Sequence, residues 1–195
     1  MMYQNALIGL CAAASCLACA SPVLSQSYYV QLDGGAVFRE DDDFDGGGDI
    51  EYDVGGVFGG RVGVHVSDAV RVELDVAYSE NDVDEIAGAN LGGPGLEADV
   101  AAVTFGVGAY VDIGELGALT PYLGAGIGGA YRELDTDFGS DDEDTGLAAH
   151  GEVGLSFDVT PNIAVVPHYR YVWLGEVNDE EAFAHWLRLG LRWSP

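Results

Sequence analysis

The chain has 195 residues, with 33 Asp or Glu against 7 Arg and no Lys, for a formal net charge of −26. Such a charge repels phosphates and excludes nucleic acid as a partner. A hydrophobic fraction of 48% is too high for the disorder that so acidic a chain would otherwise imply, so apolar and acidic residues must be segregated along one folded domain.

Residues Ala6 to Ala20 are almost all apolar or small. That run is shorter than the ~20 apolar residues of a spanning helix. It matches the apolar core of a signal peptide, with Pro22 closing it and small residues following. Cleavage is expected at Val23-Leu24-Ser25, with Ala18-Cys19-Ala20 the second candidate, so 1–25 would be removed and 26–195 form the mature domain. Cys11, Cys16 and Cys19 all fall in the leader, which leaves the mature domain without a disulfide or a thiolate metal site.

From residue 28 the dominant period is two, the signature of strands. Val70, Val72, Leu74, Val76 and Tyr78 alternate with Arg71, Glu73, Asp75, Ala77 and Ser79. Strands are predicted at about 28–38, 54–66, 70–79, 98–112, 121–132, 146–159, 163–173 and 182–193. Long connections at 39–53, 80–97, 133–145 and 174–181 alternate with short ones at 67–69, 113–120 and 160–162. That rhythm predicts an all-β, eight-stranded antiparallel up-and-down barrel. Pro167 falls inside a predicted strand, where its missing N–H predicts a local bulge.

The two faces decide the solvent. One parity carries Val30, Leu32, Phe58, Val62, Val103, Phe105, Val107, Leu123, Ile127, Val153, Leu155, Leu187, Leu189 and Leu191. The opposite parity is assigned the polar set Gln31, Asp33, Arg61, His65, Arg71, Glu73, Asp75, Asp99, Thr104, His150, Glu152, Asp158, His168, Arg170, Arg188 and Arg192, together with many glycines. Arginine suits buried, multiply bonded pairs with carboxylates, and glycine leaves room for its length. The polar face therefore reads as the interior of a narrow barrel, with Arg71, Arg170 and Arg188 paired to Glu73, Asp75 and Glu152. The apolar face must then meet lipid, and the location expected is a bacterial outer membrane with the long loops extracellular. Phe38, Phe58, Tyr78, Tyr131, Trp173 and Phe183 share the outward parity at loop ends, as an interfacial girdle requires.

Four segments carry a resemblance: Arg71 to Tyr78, Thr120 to Gly128, Thr160-Pro161-Asn162 leading to Tyr169-Arg170-Tyr171, and Leu187 to Trp193. In that order and spacing the chain resembles the OmpA-like and opacity-type outer-membrane barrels across about 28–195. The resemblance implies eight strands inserted by the barrel-assembly machinery, which reads a last strand of the kind Arg188, Gly190 and Trp193 provide. Pro195 departs from the aromatic that the family carries at its end.

No enzyme motif survives inspection. Gly124 to Gly129 has G-x-G-x-x-G spacing, but a strand end follows where a nucleotide site needs a helix. His65, His150, His168 and His185 lack an evident nucleophile beside them, although Ser156 shares a face with Glu152. The strongest unexplained feature is acid: 24 of the 33 carboxylates lie in the four long connections. Asp41, Asp43 and Asp45, then Gly46 and Asp49, follow the spacing of a calcium loop but lack its twelfth-position Glu, so at most weak Ca²⁺ binding is expected. The reading is a non-enzymatic surface protein without a cofactor, in contact with outer-membrane lipid, and with divalent cations or surface ligands at its loops. A Ca²⁺-dependent adhesin, a narrow porin and a lipid-modifying enzyme are the alternatives.

Overall fold

The computed structural model describes residues 27–39, 42–44, 48–52, 54–86, 89–90, 98–136, 142–177 and 180–195, so the expected leader and Asp41 and Asp45 lie outside the described residues. Eight strands form the wall: β1 Tyr28–Arg39, β2 Gly55–His65, β3 Val70–Ile86, β4 Ala98–Asp112, β5 Leu119–Thr136, β6 Asp142–Thr160, β7 Ile163–Val177 and β8 Glu180–Trp193. Each pairs antiparallel with the next, and β8 pairs with β1 to close the sheet. Closure removes every edge, the condition for strands to cross hydrocarbon.

Directly paired residues lead around the wall from Tyr29 through Gly63, Glu73, Gly108, Gly126, His150, Val172 and Ala184, and return to β1 at Arg39. The return falls ten residues beyond the start, 39 against 29, so the strands tilt by roughly 40° around a bore that side chains can fill. Burial alternates accordingly. Leu32, Phe58, Leu74, Phe105, Ile127, Leu147 and Leu187 are exposed outside, while Gln31, Arg61, Glu73, Glu152 and Arg188 are buried inside. Phe38, Phe58 and Tyr78 ring the loop end, and Phe157 and Trp193 the turn end. His185 joins the outer girdle: its Nδ1 lies 2.6 Å from the Tyr169 hydroxyl, and Tyr171 stacks on Phe183 beside it.

Four expectations are corrected. Strands run further toward the loops than alternation suggested: β3 extends to Ile86, β5 to Thr136, β6 begins at Asp142 and β7 ends at Val177. Backbone pairing continues there after the apolar signal has stopped. Part of 39–53 is also paired, as Asp42–Phe44 against Gly48–Tyr52, which then pairs with β3. Pro167 makes no bulge. It faces lipid opposite Leu189, and the β6–β7 ladder lapses at Val166 and Pro167, then resumes in the same register. The register shifts of β7 fall instead between Ile163 and Ala164 and between Trp173 and Glu176. Finally, Asp99 shares the parity of outward Phe105 rather than of inward Thr104, and pairs with Asp82 and Asp135 at the loop end.

An apolar surface encircling the molecule far exceeds the patches of soluble monomers. The protein is therefore expected to fold only in detergent or lipid and, once folded, to shift its gel migration on heating. Monomeric folding in plain buffer, followed by circular dichroism, would overturn this.

Candidate functional site

The lumen is the side to which the sequence assigns its arginines, and the structure fills it with one network. Arg61 of β2 lies at the centre. Its Nε donates to Asp33 at 3.3 Å, and its Nη1 to Glu73 at 2.9 Å and to Glu152 at 2.8 Å. Its Nη2 lies 3.0 Å from His168 Nε2. The His168 Nδ1 lies 3.0 Å from the Val166 carbonyl, and a proton on Nδ1 leaves Nε2 to accept from Arg61. One guanidinium thus joins β1, β3, β6 and β7 across the bore.

Two layers flank this hub. Toward the loops, Arg170 donates to Glu152 and to Asp75, both at 2.7 Å, and to the Tyr110 hydroxyl at 3.2 Å. Toward the turns, Arg71 donates to Glu73 at 3.0 Å and to Asp112, while Arg192 donates to Gln31 at 2.9 Å. The Tyr29 hydroxyl donates to Glu73, and that of Tyr122 to Glu152 at 2.8 Å. Arg71 lies over the Tyr122 ring at 4.2 Å and Arg192 over Tyr29 at 4.3 Å, so the aromatics add cation–π contact in a desolvated setting.

Of the interior charges read from the sequence, Arg61, Arg71, Glu73, Asp75, Glu152, Arg170, Arg188 and Arg192 all face the lumen. The pairing differs at one point: Arg188 meets Asp33 at 3.3 Å, because Glu152 is already held by Arg61 and Arg170. Asp158 lines an open cavity at the turn end rather than the packed bore. The glycines also serve another partner than expected. A Cβ at Gly63 would collide with the Tyr29 ring, at Gly108 or Gly124 with Tyr110, and at Gly154 with Tyr122. These four seat tyrosines, while Gly126 lies against His150, Gly190 against Gln31, Gly59 against Arg188 and Gly146 against Arg132.

Above the network the inward face turns largely apolar, although Ser79, Asn81, Thr104 and Arg132 are buried on it as well. Val37, Val57, Ala77, Ala130, Ala148, Val172, Leu174, Ala184 and Trp186 form one buried cluster inside the loop end. This plug was missed because inward parity was read from polar residues alone. Val37, Val57, Val172, Leu174 and Trp186 lie on that parity in the sequence. Polar hub and apolar plug together close the lumen.

At the rim, backbone pairing sets Asp82 opposite Asp99, Asp99 opposite Asp135, Glu133 opposite Glu143 and Glu176 opposite Glu181. Asp43 pairs with Asp49 in the short hairpin. Among the described residues no group of three or more His, Cys, Asp or Glu side chains is placed to hold a metal ion.

A closed antiparallel wall, an apolar exterior and a packed, charged lumen define a transmembrane β-barrel of the small, filled class. The chain belongs to the outer membrane protein beta-barrel domain family, whose model matches residues 10–194. It is 27% identical over 164 residues to the outer membrane protein PagN of Salmonella typhimurium, covering 73% of this chain and 68% of that protein. It is 37% identical over 90 residues to an uncharacterized Brucella abortus protein, of which the match spans 31%. In fold it is similar to Neisserial surface protein A, with a TM-score of 0.63 at 23% identity over 86% of this chain and 97% of that one. It is also similar to Ail of Yersinia pestis, solved with the heparin analogue sucrose octasulfate, with a TM-score of 0.56 at 15% identity over 87% of this chain and all of that one. The protein is an outer-membrane barrel.

Proposed function

We propose that this barrel is a non-catalytic surface-contact protein, with its loops outside the cell and an acidic rim that engages cationic groups directly or through divalent cations. The observation that carries this reading is the sorting of charge. All seven arginines lie on the inner parity, while carboxylates crowd the loop end and oppose each other across strands. Like charges directly opposite destabilise a sheet, and a bound cation relieves their repulsion. The filled lumen favours contact over passage. Insertion by the barrel-assembly machinery fits the Arg188, Gly190 and Trp193 pattern of β8.

Ail was captured with a sulfated ligand. A rim of this charge repels sulfate, so the partner differs in sign. Cells displaying the protein are expected to bind amine-coated beads better than sulfated ones, and Asp41, Asp43, Asp45 and Asp49 changed together to Asn should weaken that binding. Millimolar Ca²⁺ is expected to raise thermal stability more than NaCl of matched ionic strength, with affinity in the ~10⁻⁴–10⁻³ M range of extracellular sites. Identical melting curves would remove the divalent cation, and equal binding to both beads would sink the contact reading.

A further inference from the structure

Among the described residues, the seams of the wall pair without a break across the apolar band except one, between β6 and β7. There the register shifts between Ile163 and Ala164, and pairing lapses at Val166 and Pro167 before His168 meets Gly154. The cause lies in two prolines. Leu155 faces Pro121 of β5 on one side. The Pro121 carbonyl is turned away to β4, where it accepts from the Ile113 N–H at 2.7 Å. Alternation in an antiparallel ladder then directs the polar groups of Leu155 toward β7, and there Pro167 has no N–H for its carbonyl. Leu155 is exposed on the lipid face. It sits roughly 10 Å inside the turn-side edge of the band, at ~3.3 Å per residue along a tilted strand. A ladder bond missing in hydrocarbon makes this the place where the wall parts most readily.

Directly behind the seam lies a turn-end cavity of about 290 Å³ that reaches up to Ser156 and Ala164. Asp68, Glu115 and Asp158 offer carboxylates to it, as does Asp112, which Arg71 already holds; His65 adds an imidazole, Arg192 a guanidinium, and Asn162 an amide that also donates to the Ser194 carbonyl at 2.7 Å. Arg192 is buried, and its Nη2 makes no hydrogen bond, standing 3.9 Å from Glu73. A guanidinium with hydrogen-bonding capacity left over beyond Gln31, beside carboxylates, is complementary to a ligand carrying both a phosphate and an ammonium.

We propose that this cavity binds the ammonium–phosphate head group of a membrane phospholipid, which enters sideways through the β6–β7 seam while its acyl chains stay in the bilayer. The phosphate lies on Arg192 and Asn162, and the ammonium on Asp158 and Glu115. A primary ammonium donates hydrogen bonds to carboxylates and a quaternary one does not, so ethanolamine is preferred to choline. A glycerol head group brings no cation.

The test uses refolded protein in phosphatidylcholine nanodiscs doped with phosphatidylethanolamine or phosphatidylglycerol, with retained lipid counted by native mass spectrometry. Phosphatidylethanolamine is expected to be retained over the other two. Pro167→Val restores the missing N–H, and Asp158→Asn removes a carboxylate at an exposed strand end. Each should lower retention roughly tenfold, the worth of one charge-assisted hydrogen bond, with heat-dependent gel migration intact. Equal retention of the three lipids overturns the site. Pro167→Val retaining lipid like the parent overturns the lateral route. So does soluble glycerophosphoethanolamine binding parent and Pro167→Val alike, since the pocket would then be filled from water.

Discussion

Replacing Arg61 with alanine is expected to destabilise the barrel by about 3–5 kcal/mol, because the carboxylates left behind are buried and lose their shared cation. Asp33, Glu73 and Glu152 all contact Arg61 and are all within the packed bore. Arg170 still reaches Glu152 and Arg71 still reaches Glu73, so Asp33 is the most exposed to the loss, with Arg188 as its remaining arginine. Arg61→Lys should recover only part of the stability, since a point charge cannot reproduce a fork that serves three acids. Urea unfolding of the refolded variants in detergent measures both. The same variants separate structure from passage. The apolar cluster from Val37 to Trp186 lies above the hub and meets the network through Trp186, which packs on Arg170 and Arg188 rather than on Arg61. Arg61→Ala should therefore unfold more easily without conducting ions in a planar bilayer. A variant as stable as the parent would mean that the network contributes little. A conducting one would mean that the plug does not seal.

The wall was legible in the sequence because lipid imposes a strict rule on alternate residues. Val103, Phe105, Val107, Ala109 and Val111 can be read as one face without any coordinates. The arginines were legible for the same reason, since a cation on the other parity would meet hydrocarbon. The partners inside were not. Parity says that Arg188 points inward, but whether it meets Asp33 or Glu152 depends on the ten-residue stagger of the closed sheet, which no local pattern records. Arg61 was named among the interior charges but not as their centre, because its contacts join residues as far apart as Asp33 and His168. The glycines were assigned to the right face for an incomplete reason. Their role appears only when Tyr29, Tyr110 and Tyr122 are seen lying across them from the same or neighbouring strands.

Strand ends were the least legible feature, again for a physical reason. Beyond Tyr78, Tyr131 and Trp173 the outer face leaves hydrocarbon, so apolar alternation no longer carries information, while the ladder of backbone hydrogen bonds still does. β3 continues through Glu80, Asp82 and Glu85 because its backbone still finds partners there, first in β2 and β4 and then in Gly48–Tyr52 and Ala89–Asn90.

The lipid face makes the complementary test. Val107 of β4 lies directly opposite Leu74 of β3 and Ile127 of β5, which are 63% and 69% exposed. It stands midway along β4, four residues from Val103 on the loop side and four from Val111 on the turn side. No carboxylate shares that row, and the nearest water lies half the apolar band away. An arginine there must carry its charge into hydrocarbon or bend a long side chain toward the interface at the expense of packing. Val107→Arg is therefore expected to cost about 2–4 kcal/mol, the range found at the midplane of such barrels. Thr145 of β6 is exposed at the loop end. Thr145→Arg should fall within ~0–1 kcal/mol, as near an interface. Urea unfolding in lipid vesicles compares the pair. A large cost at Thr145 with none at Val107 would reverse the depth assigned to β4. Equal small costs would mean that this face does not meet lipid at all, and with that the inside and outside of the barrel would have to be exchanged.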